Sequence, residues 1–154
     1  WLGENTQDYY RLLAETGQGQ WSPQRSALPW VRFCLKAHYQ QAATLLRRNE
    51  EYEQLFAKIT TLANAHKLNE RTHLALFDAA LGFKVTNPRY RTDTDVSELV
   101  ASRDLKKLSD LGLLEPVGEK RGRYYRASEE LRKARTATRL PRVIADPYEL
   151  VRKA

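Results

Sequence analysis

The chain has 154 residues, 42% of them hydrophobic, and a formal net charge of +7, with one Cys and no Met. That length allows one sizeable core or two small ones, and a lone cysteine excludes a disulfide framework and points to a reducing, cytoplasmic setting. No apolar run approaches the roughly 18 residues of a membrane span and no charged-then-apolar leader precedes the fold, so a membrane partner is not expected; with no Met to initiate it, the chain is expected either to lack a few residues or, the favoured reading, to be a piece of a longer protein.

Residues 6–16 read as a short helix, with Asp8 in its first turn and Gly17 closing it. Residues 18–25, with Gly19, Trp21 and Pro23, read as a loop. Ser26 then caps a new helix in which Pro29 falls in the tolerated first turn. From 31 to 81 there is neither Gly nor Pro, and Leu28, Val31, Leu35, His38, Ala42, Leu45, Asn49, Tyr52, Phe56, Ile59 and Ala63 alternate at spacings of three and four. This predicts one long helix, or two in line broken near 48–51, and Leu46, Leu55 and Leu62 widen the stripe, so that more than a two-strand seam is expected to be buried. Leu35, Leu45, Phe56 and Ile59 are expected to bury against a following domain or a second copy, because the helix at 6–16 is too short to cover them all. His38 lies on the stripe and reads as a core histidine, and Cys34 as a small buried hydrophobe.

Asn69 is expected to cap the next helix, with Leu74, Phe77, Ala80 and Leu81 inward and Gly82 at its end. Asn87-Pro88 starts a short helix through Tyr90 and Arg91, and 92–95 reads as a turn. Ser97 then caps a helix whose rear face is Val96, Leu99, Val100, Leu105, Leu108 and Leu111, with Gly112 in the left-handed position past its end. Its outward positions are Glu98, Ser102, Arg103, Lys106 and Lys107. In helix-turn-helix proteins such a face enters the major groove of DNA, where Arg and Lys reach guanine edges or phosphates and Ser bonds to either. A plain solvated helix face has the same pattern.

Leu113, Leu114 and Val117 start a strand, Gly118 and Gly122 allow a reversal, and Arg123, Tyr124, Tyr125 and Arg126 return antiparallel. The tip carries Lys120, Arg121 and Arg123. Beside a basic helix, such a hairpin is the wing that touches the phosphate backbone; alone, it is a solvated turn. Residues 128–137 form a last helical stretch, and Pro141 and Pro147 predict an extended end. Between 120 and 142 nine Lys and Arg face two Glu, a surplus equal to the charge of the whole chain. A basic stripe confined to wing and tail fits a polyanion, though a solubilising tail is the plain alternative.

The expected fold class is mainly α: a helical segment at 1–66 serving as connector, a winged helix-turn-helix with a small β-hairpin wing at 67–127, and a basic tail at 128–154. The expected DNA-binding residues are Ser97, Ser102, Arg103, Lys106, Lys107, Lys120, Arg121 and Arg123. No catalytic or metal site is expected. Three histidines, one Cys, no HExxH, no Gly-rich phosphate loop and no GxSxG leave the chemistry of a site without a cluster.

The stretches NTQDYYRLLAETGQGQWSP, PWVRFCLKAHYQQA, ASRDLKKLSDLGLL and VGEKRGRYYR together resemble the carboxy-terminal portion of bacterial Fic (filamentation induced by cAMP) family proteins, from Leu2 to about Ala127. The resemblance implies that 1–66 is the end of a Fic core followed by a connector helix. It also implies a parent that transfers AMP from ATP, with magnesium, to hydroxyls of a protein target, and an antitoxin-like partner. The HPFxxGNGR loop that performs this is absent, so no cofactor and no catalysis are expected of this segment. Double-stranded DNA is the expected partner. The alternative is a winged helix that serves as a protein-interaction or dimerisation module, giving a homodimer or presenting targets to the Fic domain.

Overall fold

The computed structural model describes residues 1–20 and 23–152, excluding the side chains of residues 121 and 150–152. Trp21 in the expected loop, the side chain of Arg121 at the expected wing tip and the last two residues of the tail lie outside this description. In chain order the elements are a 3-10 turn Leu2–Asn5, α1 Thr6–Gly17, α2 Leu28–Ala65, a 3-10 turn Glu70–Thr72, α3 His73–Leu81, α4 Asn87–Thr94, α5 Glu98–Asp110, β1 Leu114–Val117, a 3-10 turn Lys120–Gly122, β2 Tyr124–Ala127, α6 Glu129–Ala137 and α7 Pro147–Arg152. The fold is mainly α with one two-stranded antiparallel sheet among the described residues. No described helix is long and apolar enough to cross a membrane.

Packing divides the chain into two compact units, Trp1–Asn49 with Pro141–Ala154, and Glu50–Leu140. In the first, an aromatic cluster of Trp1, Tyr9, Trp30 and Phe33 joins the start of the chain to α2, with ring centroids 5.2 to 6.3 Å apart. Lys36 pairs with Asp146 at 2.5 Å, and Tyr148 donates its hydroxyl proton to the Arg32 carbonyl at 3.1 Å. Asp146 also accepts from the Tyr148 amide, which makes Pro147 the first residue of a helix instead of part of an extended end. Gln18, not Gly17, takes the left-handed position after α1. Only Phe33, Ala37 and Gln40 of this part of α2 are buried.

The second unit holds the core. Leu55, Ile59 and Ala63 on one face of α2 pack with Ala75, Leu76 and Ala79 of α3, Ala101, Leu105 and Leu108 of α5, Leu113 and Leu114 at β1, and Leu131 of α6. Grouping by contact therefore places Glu50–Ala65 and α6 with the winged helix, where the sequence divides at 66 and 127. α2 runs unbroken through 48–51, as a segment without Gly or Pro can, and stops where Lys67 turns left-handed (φ 49°) and the Leu68 amide reaches back to Ala63. Of the four stripe residues expected to be buried, only Ile59 is; Leu35 and Leu45 are each 57% exposed and Phe56 43%. The buried series steps by four, 51, 55, 59, 63, instead of alternating. Glu51 belongs to it because its carboxylate accepts from the Leu140 amide and pairs with Arg135. His38 is exposed, not a core histidine, and Cys34 is half-buried.

Further corrections concern ends and faces. Asn69 caps the 3-10 turn ahead of α3; α4 starts at Asn87 as expected, capped by Thr86, and continues to Thr94 before Asp95 turns left-handed. Leu74 and Leu99 are exposed, and Ala101 takes the core place beside Leu105 and Leu108. Ser97 does cap α5, accepting from the Val100 amide, and Gly112 (φ 71°) follows it while the Leu113 amide closes on the Leu108 carbonyl.

The hairpin has a third edge that the sequence reading lacked. Val85, between α3 and α4, exchanges both backbone hydrogen bonds with Tyr125 at 3.0 and 2.8 Å. β2 therefore runs between Val85 and β1, the strand arrangement of a winged helix. It also explains Pro116. Pro116 pairs with Tyr125, whose amide and carbonyl both point to Val85, so this position of β1 needs no N–H.

Candidate functional site

Three elements of the second unit form an open groove of about 890 Å³, lined by Asn87, Pro88 and Arg91 of α4, Glu98, Ser102, Lys106, Ser109 and Asp110 of α5, and Pro116, Lys120, Arg123 and Tyr125 of the wing. Ser102, Lys106 and Ser109 reach it because they recur at four and three along α5, on a face about 100° round the helix from Ala101, Leu105 and Leu108. The wing overhangs it because Gly118 (φ 74°) turns the chain at the end of β1, where a Cβ would lie 3.1 Å from the Gly122 carbonyl oxygen. Gly122 itself has no positive φ; Lys120 takes the left-handed conformation instead, at φ 50°.

The orientation of α5 over this groove is fixed from behind. Asp104 accepts two hydrogen bonds from Arg71, at 2.6 and 3.1 Å, and one from the Tyr90 hydroxyl at 2.9 Å. Burial pushes the Asp104 carboxyl up, but these hydrogen bonds outweigh burial and hold it below its ordinary value. Burial and the same carboxylate drive the Tyr90 hydroxyl well above its ordinary range, so it stays a donor. The triad ties the start of α3, α4 and α5 into one frame. Asn87 completes it in front by donating to the Ser102 hydroxyl at 2.9 Å.

The expected contact residues separate by place. Ser102, Lys106, Lys120 and Arg123 come together at the groove. Arg103 is exposed on α5 but does not line it. Lys107 faces a different hollow of about 330 Å³, with Lys67, Asn69, Arg71 and Asp104. Ser97 has its oxygen engaged as the α5 cap. Arg91 and Asn87 line the groove without having been singled out as contact residues; the signal for both was their place in the short helix that precedes a recognition helix.

Charge pairing sorts the cations further. Arg126 and Arg132 both pair with Glu115, at 2.8 and 3.1 Å, Arg132 also with Glu129, and Arg135 with Glu51. The two arginines hold Glu115 below the usual carboxylate range. Three of the nine cations read along wing and tail, Arg126, Arg132 and Arg135, are thus held in internal ion pairs. Among the described side chains Arg103, Lys106, Lys107, Lys120 and Arg123 have no such acid partner. Arg91 pairs loosely with Glu98 at 3.5 Å. No group of three or more His, Cys, Asp or Glu is placed to hold a metal ion among the described residues.

Comparison with protein-family models, with curated proteins and with solved structures finds no match to this chain.

Proposed function

We propose that Glu50–Leu140 is a DNA-binding winged-helix unit that sets α5 in the major groove and the wing on the phosphate backbone. One observation carries the reading. Lys106 on the helix and Lys120 and Arg123 on the wing converge on one groove with no acid partner of their own, while nearby arginines that have one are held away in ion pairs. Unpaired cations around a helix-wide groove are what a polyanion neutralises on binding. Arg103, exposed on α5, is the base-reading candidate, and Lys107 with Lys67 serves a phosphate on the far flank of the helix. Ser97 and Ser102, whose oxygens already accept hydrogen bonds, contribute as hydroxyl donors.

Resting on the sequence resemblance alone, the chain is the carboxy-terminal part of a cytoplasmic Fic-type protein. The parent's AMP transfer needs ATP, magnesium and a loop this segment does not carry, so the segment itself transfers no AMP. A second reading is a protein-interaction or dimerisation module, in which Leu99, 61% exposed on α5, would be the apolar side chain offered to a protein partner.

Fluorescence anisotropy with a labelled random duplex at low salt tests the first reading. The chain is expected to bind, and Lys106→Ala with Lys120→Ala and Arg123→Ala to abolish most of the binding. A parent chain that binds no duplex at low salt contradicts it and leaves the interaction module.

A further inference from the structure

Leu28, Val31, Leu35, His38, Ala42, Leu45 and Asn49 succeed one another along α2 at spacings of three and four, and every one of them is exposed. Leu28, Val31, Leu35 and Leu45 are 51, 46, 57 and 57% exposed. An alternation averaging 3.5 residues is the spacing that stays on one face when two helices wind around each other. The side that this chain covers for itself, with Phe33, Ala37 and Gln40, lies opposite. The stripe therefore has a/d spacing, with four large apolar side chains among its seven positions, and is exposed on a helix that runs unbroken from Leu28 to Ala65.

Two features specify what fits it. With Leu28, Leu35, Ala42 and Asn49 at a and Val31, His38 and Leu45 at d, the positions flanking the seam near its end are Arg48 at g and Glu53 at e. In a parallel pair the g residue of one helix lies beside the e residue of the next heptad of the other, so Arg48 meets Glu53 of the second copy twice, by symmetry. Both side chains are exposed and neither has an ion pair within the described chain. Asn49 is the one amide at an a position. Facing its own copy it finds a hydrogen-bond partner, whereas a parallel register shifted by whole heptads sets it against Ala42, Leu35 or Leu28, none of which can bond to it.

We propose that α2 pairs with α2 of a second copy of this chain as a parallel, in-register two-stranded coiled coil over residues 28–53. The pairing stands independently of the DNA reading. If both hold, each particle carries two winged-helix units and suits a site with two halves.

Sedimentation velocity of the full chain at rising concentration is expected to show a dimer. Leu35→Glu with Leu45→Glu should leave the helical circular dichroism unchanged, since both side chains are exposed in the single chain, and weaken dimerisation at least about a hundredfold. Arg48→Glu and Glu53→Arg should each weaken it several-fold and together restore it. Register is read by cross-linking: in a Cys34→Ser background, Leu35→Cys and Leu45→Cys should each close a disulfide between copies on oxidation. An antiparallel pair has one crossing point and closes at most one of them. A monomer at every concentration overturns the proposal and leaves the stripe to a segment beyond this chain. A dimer indifferent to the two Glu substitutions, or one that cross-links at one position or neither, overturns it equally.

Discussion

Tyr90 donates its hydroxyl proton to Asp104 across 2.9 Å, from α4 to α5, at the point where Arg71 grips the same carboxylate. This is the joint that sets the angle of α5, and it has a consequence in stability. Asp104→Ala leaves Tyr90 and Arg71 without their acceptor and should cost about 2 kcal/mol in denaturant unfolding.

The joint also titrates. Because Asp104 is held below its ordinary value when folded, the unfolded chain binds its proton first as pH falls, and the stability it provides is present above the ordinary carboxylate range and lost on acidification through the folded value. The stability difference between the parent chain and Asp104→Asn should therefore shrink as pH is lowered below about 4. A difference that stays constant or grows through that range would show that Asp104 carries no depressed titration. Urea midpoints across the acid range measure it.

Core and surface leucines of α5 should part sharply. Leu105 is buried in the core of the second unit, and Leu105→Ala should cost about 2–5 kcal/mol. Leu99, 61% exposed, should change stability by no more than about 0.5 kcal/mol when replaced by Ala. A large loss at Leu99 would mean that the helix faces the core as the plain periodicity suggests.

The left-handed glycines on either side of β1, Gly112 and Gly118, should differ as well. Gly112→Ala meets open space and only the unfavourable φ, about 1–2 kcal/mol. Gly118→Ala meets the same φ and a carbonyl oxygen 3.1 Å from the new Cβ, so it should cost more, and the loss should appear first in the amide exchange of the wing.

What was legible in the sequence was whatever short range decides. Ser97, Gly112, Pro88 and the β-prone residues around Gly118 place α4, α5 and the hairpin, because caps, proline and tight turns are local chemistry. The outward set of α5, from Glu98 to Lys107, is exposed as read. Elsewhere tertiary contact decided. The stripe on α2 is regular, yet the face that enters the core is Glu51, Leu55, Ile59 and Ala63, chosen by what α3, α5 and α6 present to it. Val85 is one residue of strand in a loop and has no period to detect. The ion pairs of Glu115 join positions 11 and 17 residues away in the chain, so the run of cations was visible while the pairing of Arg126 and Arg132 was not.

Internal pairing leads to a selective prediction for Arg132, a basic residue near the wing that already holds Glu115 and Glu129. Arg132→Ala should leave duplex affinity within about threefold. Arg103→Ala, if it reads a base, should cost about 1–3 kcal/mol on a selected site and little on random duplex. Equal losses from both on all duplexes would mean that charge alone, wherever it sits, governs binding.

The most direct measurement is the dependence of duplex affinity on salt for the parent chain and for the Lys120→Ala, Arg123→Ala pair. If the wing lies on phosphates, log affinity falls steeply with log salt in the parent, and the paired variant loses about 1.8 units of slope, roughly 0.9 for each phosphate released. An unchanged slope, or no salt-dependent binding in the parent, would contradict the placement of the wing on the DNA backbone and with it the nucleic-acid reading.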